Sequence, residues 1–172
     1  FRAKVIVGAD GVDSVIAKKM GVHSLPPEHT CIATRVYYGG ISGLTPNIEI
    51  HFLPEFIPGY FWIFPLENGT ANVGVGMIMY DVTKQKKNIT KTMFDAIETN
   101  PMLKERFKNA KRLDEAKGWT LPFGSYRRKA YGNGVVLLGD AAMLVDPFSG
   151  EGVGNAAVSA RIASRVIRKG LA

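Results

Sequence analysis

Two short β-branched runs, each ending at a glycine next to an acidic turn, constrain this chain more than any other feature. The first is Lys4-Val5-Ile6-Val7, which stops at Gly8-Ala9-Asp10-Gly11. The second is Gly134-Val135-Val136-Leu137-Leu138, which stops at Gly139-Asp140. Uniformly apolar runs of this length suit strands covered on both faces, as in the parallel sheets of α/β proteins. Helical patterns follow both. Asp10 or Asp13 is placed to cap the first helix, Met20 closes it, and Gly21 suits the left-handed residue beyond its end. The second helix runs from about Glu151 to Lys169, with an apolar stripe of Val153, Ala156, Ala157, Ala160, Ala163 and Ile167.

The segment between these two units has a different period. Ile48, Ile50 and Phe52 alternate with polar residues, as in a half-buried strand. Tyr60-Phe61-Trp62-Ile63-Phe64 reads as an aromatic strand, and Asn68-Gly69 marks a hairpin, since both residues tolerate positive φ. Val73, Val75, Met77 and Met79 continue the alternation. Asn88 caps a helix with the apolar face Ile89, Met93, Ala96 and Ile97, and Asn100-Pro101 restarts it. Trp119, Leu121 and Phe123 return to the strand period. The expected fold class is therefore α/β plus α+β. Residues 1–29 and 128–172 form a Rossmann-like part, and residues 30–127 an inserted antiparallel sheet with helices.

Composition excludes more than it assigns. Hydrophobic residues make up 46% and charged residues 22%, which is ordinary for a packed domain. The net charge of +7 admits nucleic-acid binding, but the basic residues are scattered, and Lys84 to Lys87 and Arg127 to Lys129 read as solvated loops. Cys31 is the single cysteine, so an internal disulfide and a cysteine-based zinc site are excluded. His23, His29 and His51 lack metal-ligand spacing, and no metal is expected. No signal peptide is read at Phe1, and Asp140 interrupts the longest apolar stretch, which points to a cytoplasmic protein.

Three motifs carry candidate chemistry. Gly8-Ala9-Asp10-Gly11 with Ser14 turns a strand into a helix, where backbone amides can approach a ligand; a plain capped turn explains it equally well. Gly139-Asp140-Ala141-Ala142 followed by Pro147-Phe148-Ser149-Gly150-Glu151-Gly152-Val153-Gly154-Asn155 puts a carboxylate at the end of a strand and glycines at the start of a helix. A carboxylate there can accept bonds from sugar-like hydroxyls, and the glycines let backbone reach a flat ligand. Pro58-Gly59-Tyr60-Phe61-Trp62-Ile63-Phe64-Pro65 puts Tyr60, Trp62 and Phe64 on one face of a strand. On spacing alone such a stripe is more often core than ligand surface.

The first two motifs, in this order and wide separation, resemble the paired signatures of the FAD-dependent aromatic hydroxylase superfamily. The third resembles the Tyr-x-Trp-x-Phe-Pro signature of its geranylgeranyl reductase branch. The resemblance implies that Asp10 and Gly11 lie near the FAD pyrophosphate and that Asp140 binds a ribityl or ribose hydroxyl. It implies that Gly139 belongs to the cofactor site and that Pro147 and the backbone of Gly150, Glu151, Gly152, Val153, Gly154 and Asn155 line the flavin ring, with the helix start facing its N1–C2=O edge. Tyr60, Trp62, Phe64 and Pro65 are then expected to line an apolar substrate site. The implied reaction is reduction of C=C bonds in an isoprenoid-like substrate, with NAD(P)H as a candidate electron donor. No catalytic side chain is assigned, because the cofactor carries the redox chemistry. A flavin monooxygenase or halogenase acting on an aromatic ring is the alternative within the superfamily, since halogenases carry a similar aromatic segment. No Gly-x-Gly-x-x-Gly unit precedes the first strand, so the chain alone is expected to be an inactive part of the enzyme. A non-catalytic module that binds an apolar ligand or a partner is the alternative from another class. The basic balance and apolar substrate suit peripheral membrane contact, although no amphipathic anchor is present.

Overall fold

The computed structural model describes residues 2–172. In chain order the elements are β1 (Ile6–Gly8), α1 (Val15–Lys19), β2 (Thr30–Gly39), β3 (Glu49–His51), β4 (Gly59–Pro65), β5 (Thr70–Ile78), α2 (Met79–Lys84), α3 (Ile89–Thr99) and α4 (Pro101–Phe107). They continue with β6 (Lys111–Arg112), β7 (Lys117–Pro122), β8 (Tyr131–Gly132), β9 (Val135–Leu137) and α5 (Val153–Leu171). The chain divides into two compact units, Phe1–Thr30 with Leu121–Ala172, and Cys31–Thr120. Among the described residues, no helix is long and apolar enough to cross a membrane.

The first unit is built on a three-stranded sheet of order β1-β9-β8. β1 and β9 are parallel, with Ile6 opposite Val135 and Gly8 opposite Leu137. Ser14 is the N-cap residue of α1, accepting from the Ala17 amide at 2.9 Å, while Asp10, one of the two aspartates expected there, accepts from first-turn amides instead of occupying the cap position. Gly21 has φ +69 and donates to the Lys18 carbonyl, while Val22 donates to that of Ala17, so the helix closes as its sequence requires.

Two expectations fail in this unit. Ile6 and Val7 are 50% and 45% exposed, because β1 is an edge strand and only its Gly8 end is covered. The stripe along α5 is only partly covered. Ala163 is buried, Ala156 and Ile167 are half-buried, and Val153 is 84% exposed. α5 packs mainly on the turn after β9, and the row of the 19-residue helix that is buried or half-buried runs through Ala156, Ser159, Ala163 and Ile167.

The second unit is an antiparallel sheet of order β3-β4-β5-β2-β6, with β7 also paired to β2. Asn68 and Gly69 both take positive φ (57 and 69), and the β4–β5 hairpin closes over them. Asn88 accepts from the Lys91 amide to start α3, and Asn100 accepts from Met102 and Leu103 to start α4 at Pro101. Ile89, Met93, Ala96 and Ile97 form the buried face of α3, as their spacing predicts. They pack with Leu103 and Phe107 of α4 against one face of the sheet, which contributes Val36, Phe61, Ile63, Val73, Val75 and Met77.

The edge strand β3 reverses its expected polarity. Ile48, Ile50 and Phe52 are 67%, 41% and 66% exposed, whereas Glu49 and His51 face the helices with side chains only 20% and 18% exposed. Arg106 on α4 explains the reversal. Its guanidinium holds Glu49 through two bonds (2.5 and 2.9 Å) and also donates to the Ser42 and Gly43 carbonyls. The Arg106 hydrogen bonds hold the Glu49 carboxyl below its ordinary range. A depressed carboxylate pKa adds stability above the unfolded pKa, and that stability is lost as pH falls through the folded value. Glu49→Gln is therefore expected to cost about 1–3 kcal/mol at neutral pH. The gap between the urea midpoints of variant and parent should begin to narrow below about pH 4, where the unfolded glutamate protonates, and close only below the lower folded value. A constant difference across that range would assign the cost to packing.

Candidate functional site

In the first unit, the end of β1, the turn after β9 and the start of α5 surround a cleft of about 560 Å³. Gly11, Gly139, Asp140, Gly150, Gly152 and Val153 all line it. The rest of the lining is apolar, from Ala9, Leu138 and Val145 among others.

The geometry of the turn after β9 follows from its contacts. Gly139 sits at φ +52, and a Cβ there would lie 3.0 Å from that of Ala156, so only glycine lets the turn lie against α5. Its amide donates to Ser159 Oγ at 3.2 Å, and Asn155 Nδ2 donates to the Leu144 carbonyl at 2.8 Å. Arg128 supports the turn by donating to the carbonyls of Ala141 (2.8 Å) and Ser24 (2.5 Å). Arg128 is 8% exposed, its Nε has no partner, and burial lowers its pKa. It is thus buried rather than part of a solvated loop, and nothing in a basic triplet distinguishes the residue that turns inward onto one carbonyl 13 positions away and another 104 positions away.

Asp140 carries the polar chemistry of the cleft. Burial alone pushes its carboxyl above the ordinary range, and among the described residues no donor reaches its side-chain oxygens. It is thus a half-buried acceptor facing a mostly apolar cleft, placed to accept from the hydroxyl of a ligand. The glycines supply the other requirement: at Gly11 a Cβ would meet nothing within 4 Å, so backbone is open to the cleft there.

Asp10, Pro147, Glu151, Gly154 and Asn155 are outside this lining. Asp10 accepts from the amides of Val15 (2.7 Å) and Ile16 (3.3 Å) at the start of α1, and a hydrogen bond with Ser14 leads the lowering of its pKa. Glu151 Oε1 accepts from the Gly154 amide at 2.6 Å, so the chain fills part of its own helix start. Pro147 and Asn155 line a neighbouring depression with Leu144 and Val158. Asp146, missed in the sequence, shapes the loop by accepting from the Phe148 and Ser149 amides and the Ser149 hydroxyl.

In the second unit, the register puts Ile50, Trp62, Gly74 and Arg35 in one row across the sheet. Tyr60 and Phe64 lie two residues either side of Trp62, on the same face. This is the face away from α3 and α4. Tyr60, Trp62 and Phe64 are half-buried on it, whereas Phe61 and Ile63 between them are fully buried in the core. The aromatic stripe therefore lies outside the helix-packed core. Ring centroids step from Phe52 to Tyr60 (6.4 Å), to Trp62 (5.9 Å), and to Phe64 (5.7 Å). Pro65 ends the strand beside them. Next to the stripe, Arg35 lies over the Tyr37 ring and pairs with Asp114.

Other reactive side chains are occupied or unsuited. Cys31 is buried, which pushes its thiol up to about 12. His51 pairs with Glu49, and His29 Nδ1 lies 2.9 Å from Ser125 Oγ. Among the described residues, no group of three or more His, Cys, Asp or Glu could hold a metal ion.

Known proteins are similar to this chain in sequence and fold. Residues 44–117 match the geranylgeranyl reductase catalytic domain. The chain is 33% identical over 167 residues to digeranylgeranylglycerophospholipid reductase 2 of Methanopyrus kandleri, which covers 96% of this chain and 41% of that protein. It superposes with a TM-score of 0.86 and 25% identity on a geranylgeranyl bacteriochlorophyll reductase-like protein of Thermoplasma acidophilum, over 99% of this chain and 42% of that one. It also superposes with a TM-score of 0.76 and 26% identity on the myxobacterial chondrochloren halogenase, described as a variant of FAD-dependent halogenases, over 99% of this chain and 40% of that one. The chain thus spans about two fifths of the length of the relatives it matches. By sequence and by fold, the chain is similar to geranylgeranyl reductases and to FAD-dependent halogenases.

Proposed function

We propose that this chain is the flavin-contacting and substrate-contacting part of an FAD-dependent reductase that saturates C=C bonds of an isoprenoid-like lipid. The observation that carries this reading is Asp140, a desolvated carboxylate without an internal donor, in an apolar cleft opened by glycines. Such a carboxylate gains most from a ligand hydroxyl, because the bond repays a desolvation cost already present. Gly139 and Arg128 hold it in place. Gly11, Gly150 and Gly152 admit a flat group close to backbone. The start of α5 favours negative charge, and the Glu151 carboxylate already caps it; an incoming carbonyl shares or displaces that cap. When bound, FAD supplies the hydride, and NAD(P)H is the proposed donor to it. The half-buried face of Tyr60, Trp62 and Phe64 offers the apolar surface for the substrate.

The named relatives support the substrate class: one is a digeranylgeranylglycerophospholipid reductase and another is geranylgeranyl bacteriochlorophyll reductase-like. The likeness to a halogenase supports a second reading, oxygen-dependent chemistry on an aromatic ring. Anaerobic turnover separates the two. The complete protein, reduced with dithionite and given a geranylgeranyl lipid without oxygen, is expected to yield a product heavier by two hydrogens per bond reduced. An absolute requirement for oxygen, with no saturated product, would overturn the reductase reading.

A further inference from the structure

Trp62 is unusual in how closely it lies on its own sheet. A Cβ added to Gly74 would fall 2.3 Å from Trp62 Cζ2 and 2.7 Å from Cε2. A Cβ on Gly76 would lie 3.8 Å from Cζ3. Both glycines are buried, so the indole covers the bare backbone of β5 rather than standing away from it. The register explains the fit: Gly74 is directly opposite Trp62, and Gly76 is opposite Tyr60. Strand-interior glycines weaken a sheet unless something must approach it closely. Here the thing that approaches is a side chain.

Space alone does not fix the ring. Trp62 Nε1 donates to Asn72 Oδ1 at 2.9 Å. Asn72 is two residues from Gly74 on the same face, directly opposite Phe64. The Phe64 ring stacks on the indole at 5.7 Å with 23° between the planes. The bond therefore pins one end of the indole, the glycines set its depth, and Phe64 flanks it. It also fixes the Asn72 amide, because an indole N–H can only donate to the oxygen.

We propose that Asn72 is a positioning residue for substrate, which holds the Trp62 indole flat and so gives the aromatic face the shape that accepts an extended, unsaturated apolar chain. This rests on the reading of that face as the substrate surface. A flat indole gives a chain-like ligand continuous contact along Tyr60, Trp62 and Phe64. An indole free to rotate would leave backbone exposed and interrupt the row. Asn72 does not touch the reacting bond in this account; it acts through Trp62.

The sequence has two tryptophans, and Trp119 is 64% exposed on β7. Replacing Trp119 by Phe in the full chain leaves Trp62 as the only indole reporter. In that background, binding of all-trans geranylgeraniol is measured by isothermal titration calorimetry, which needs no indole, and acrylamide quenching of Trp62 emission reports how freely the ring is reached. Asn72→Leu, which removes the acceptor, is expected to increase acrylamide quenching and weaken geranylgeraniol binding about tenfold, the scale of one lost hydrogen bond. Asn72→Asp keeps an acceptor and is expected to restore both readouts to near the parent values. Urea midpoints close to that of the parent would show that the variants fold. If Asn72→Leu binds like the parent while Trp62→Ala loses binding, the positioning role is overturned and the site reading stands. If Trp62→Ala also binds like the parent, the site reading falls, and this proposal with it. Equal loss in Asn72→Leu and Asn72→Asp overturns the acceptor role.

Discussion

Phe61→Ala is expected to cost the second unit about 3–5 kcal/mol, the usual range for deleting a fully buried aromatic ring. Phe61 has no exposed surface, and its ring is flanked by Phe56 (6.3 Å), Phe107 (6.5 Å) and His51 (6.1 Å). These neighbours come from β3, α4 and the turn before β4, so a void at Phe61 loosens the sheet and the helix layer packed on it. A domain of this size is stable by only about 5–15 kcal/mol, so the variant stands close to unfolding at body temperature. The adjacent Trp62→Ala should cost less, about 1–2 kcal/mol, because its ring is partly exposed and the core behind the sheet is untouched. Urea denaturation followed by near-UV circular dichroism tests the pair. If the two variants lose equal stability, the sheet does not divide into a structural and an accessible face as the register indicates.

That division shows what the sequence conceals. Local backbone chemistry was readable: Gly21, Asn68-Gly69, Asn88 and Asn100-Pro101 each do what their side chains dictate, because the partners of a cap or turn lie within a few residues. Tyr60 to Phe64 could be recognised as a strand with one distinct aromatic face. Which face the helices cover could not be read, since both alternating sets are apolar. On β3 the pattern pointed the wrong way, because the helix-facing side is satisfied by an ion pair with Arg106, fifty-seven positions away. The cleft was similar. Its glycines and Asp140 could be named from their spacing, whereas Arg128 and Ser159, which hold the turn, depend on contacts that only the folded chain makes. Long-range partners of a polar side chain leave no periodic trace.

Asp140→Asn is expected to stabilise the protein without flavin and to weaken flavin binding, which separates a binding residue from a structural one. Burial raises the Asp140 pKa, and no cation or donor offsets it. For an acid with a raised folded pKa, the folded state holds its proton more tightly than the unfolded chain. Stability then falls as pH rises from the unfolded value, about 3.9, through the folded value, and the full penalty persists above it. Asparagine has no charge to desolvate. The melting temperature of the flavin-free variant should therefore exceed the parent's at pH 7, and the difference should vanish below about pH 4. Binding runs in the opposite direction. Hydrogen bonds to a charged acceptor contribute about 1.5–3 kcal/mol, so replacing the carboxylate by an amide should weaken FAD about 10- to 100-fold in the complete protein. Thermal melts across pH and FAD titration by flavin fluorescence measure the two effects. A variant that melts lower and binds FAD equally well would make Asp140 a structural residue of the turn and would leave the cleft without its polar contact. A variant that melts higher and binds FAD weakly would mean that the chain holds an uncompensated carboxylate in its cleft because a hydroxyl-bearing ligand completes it.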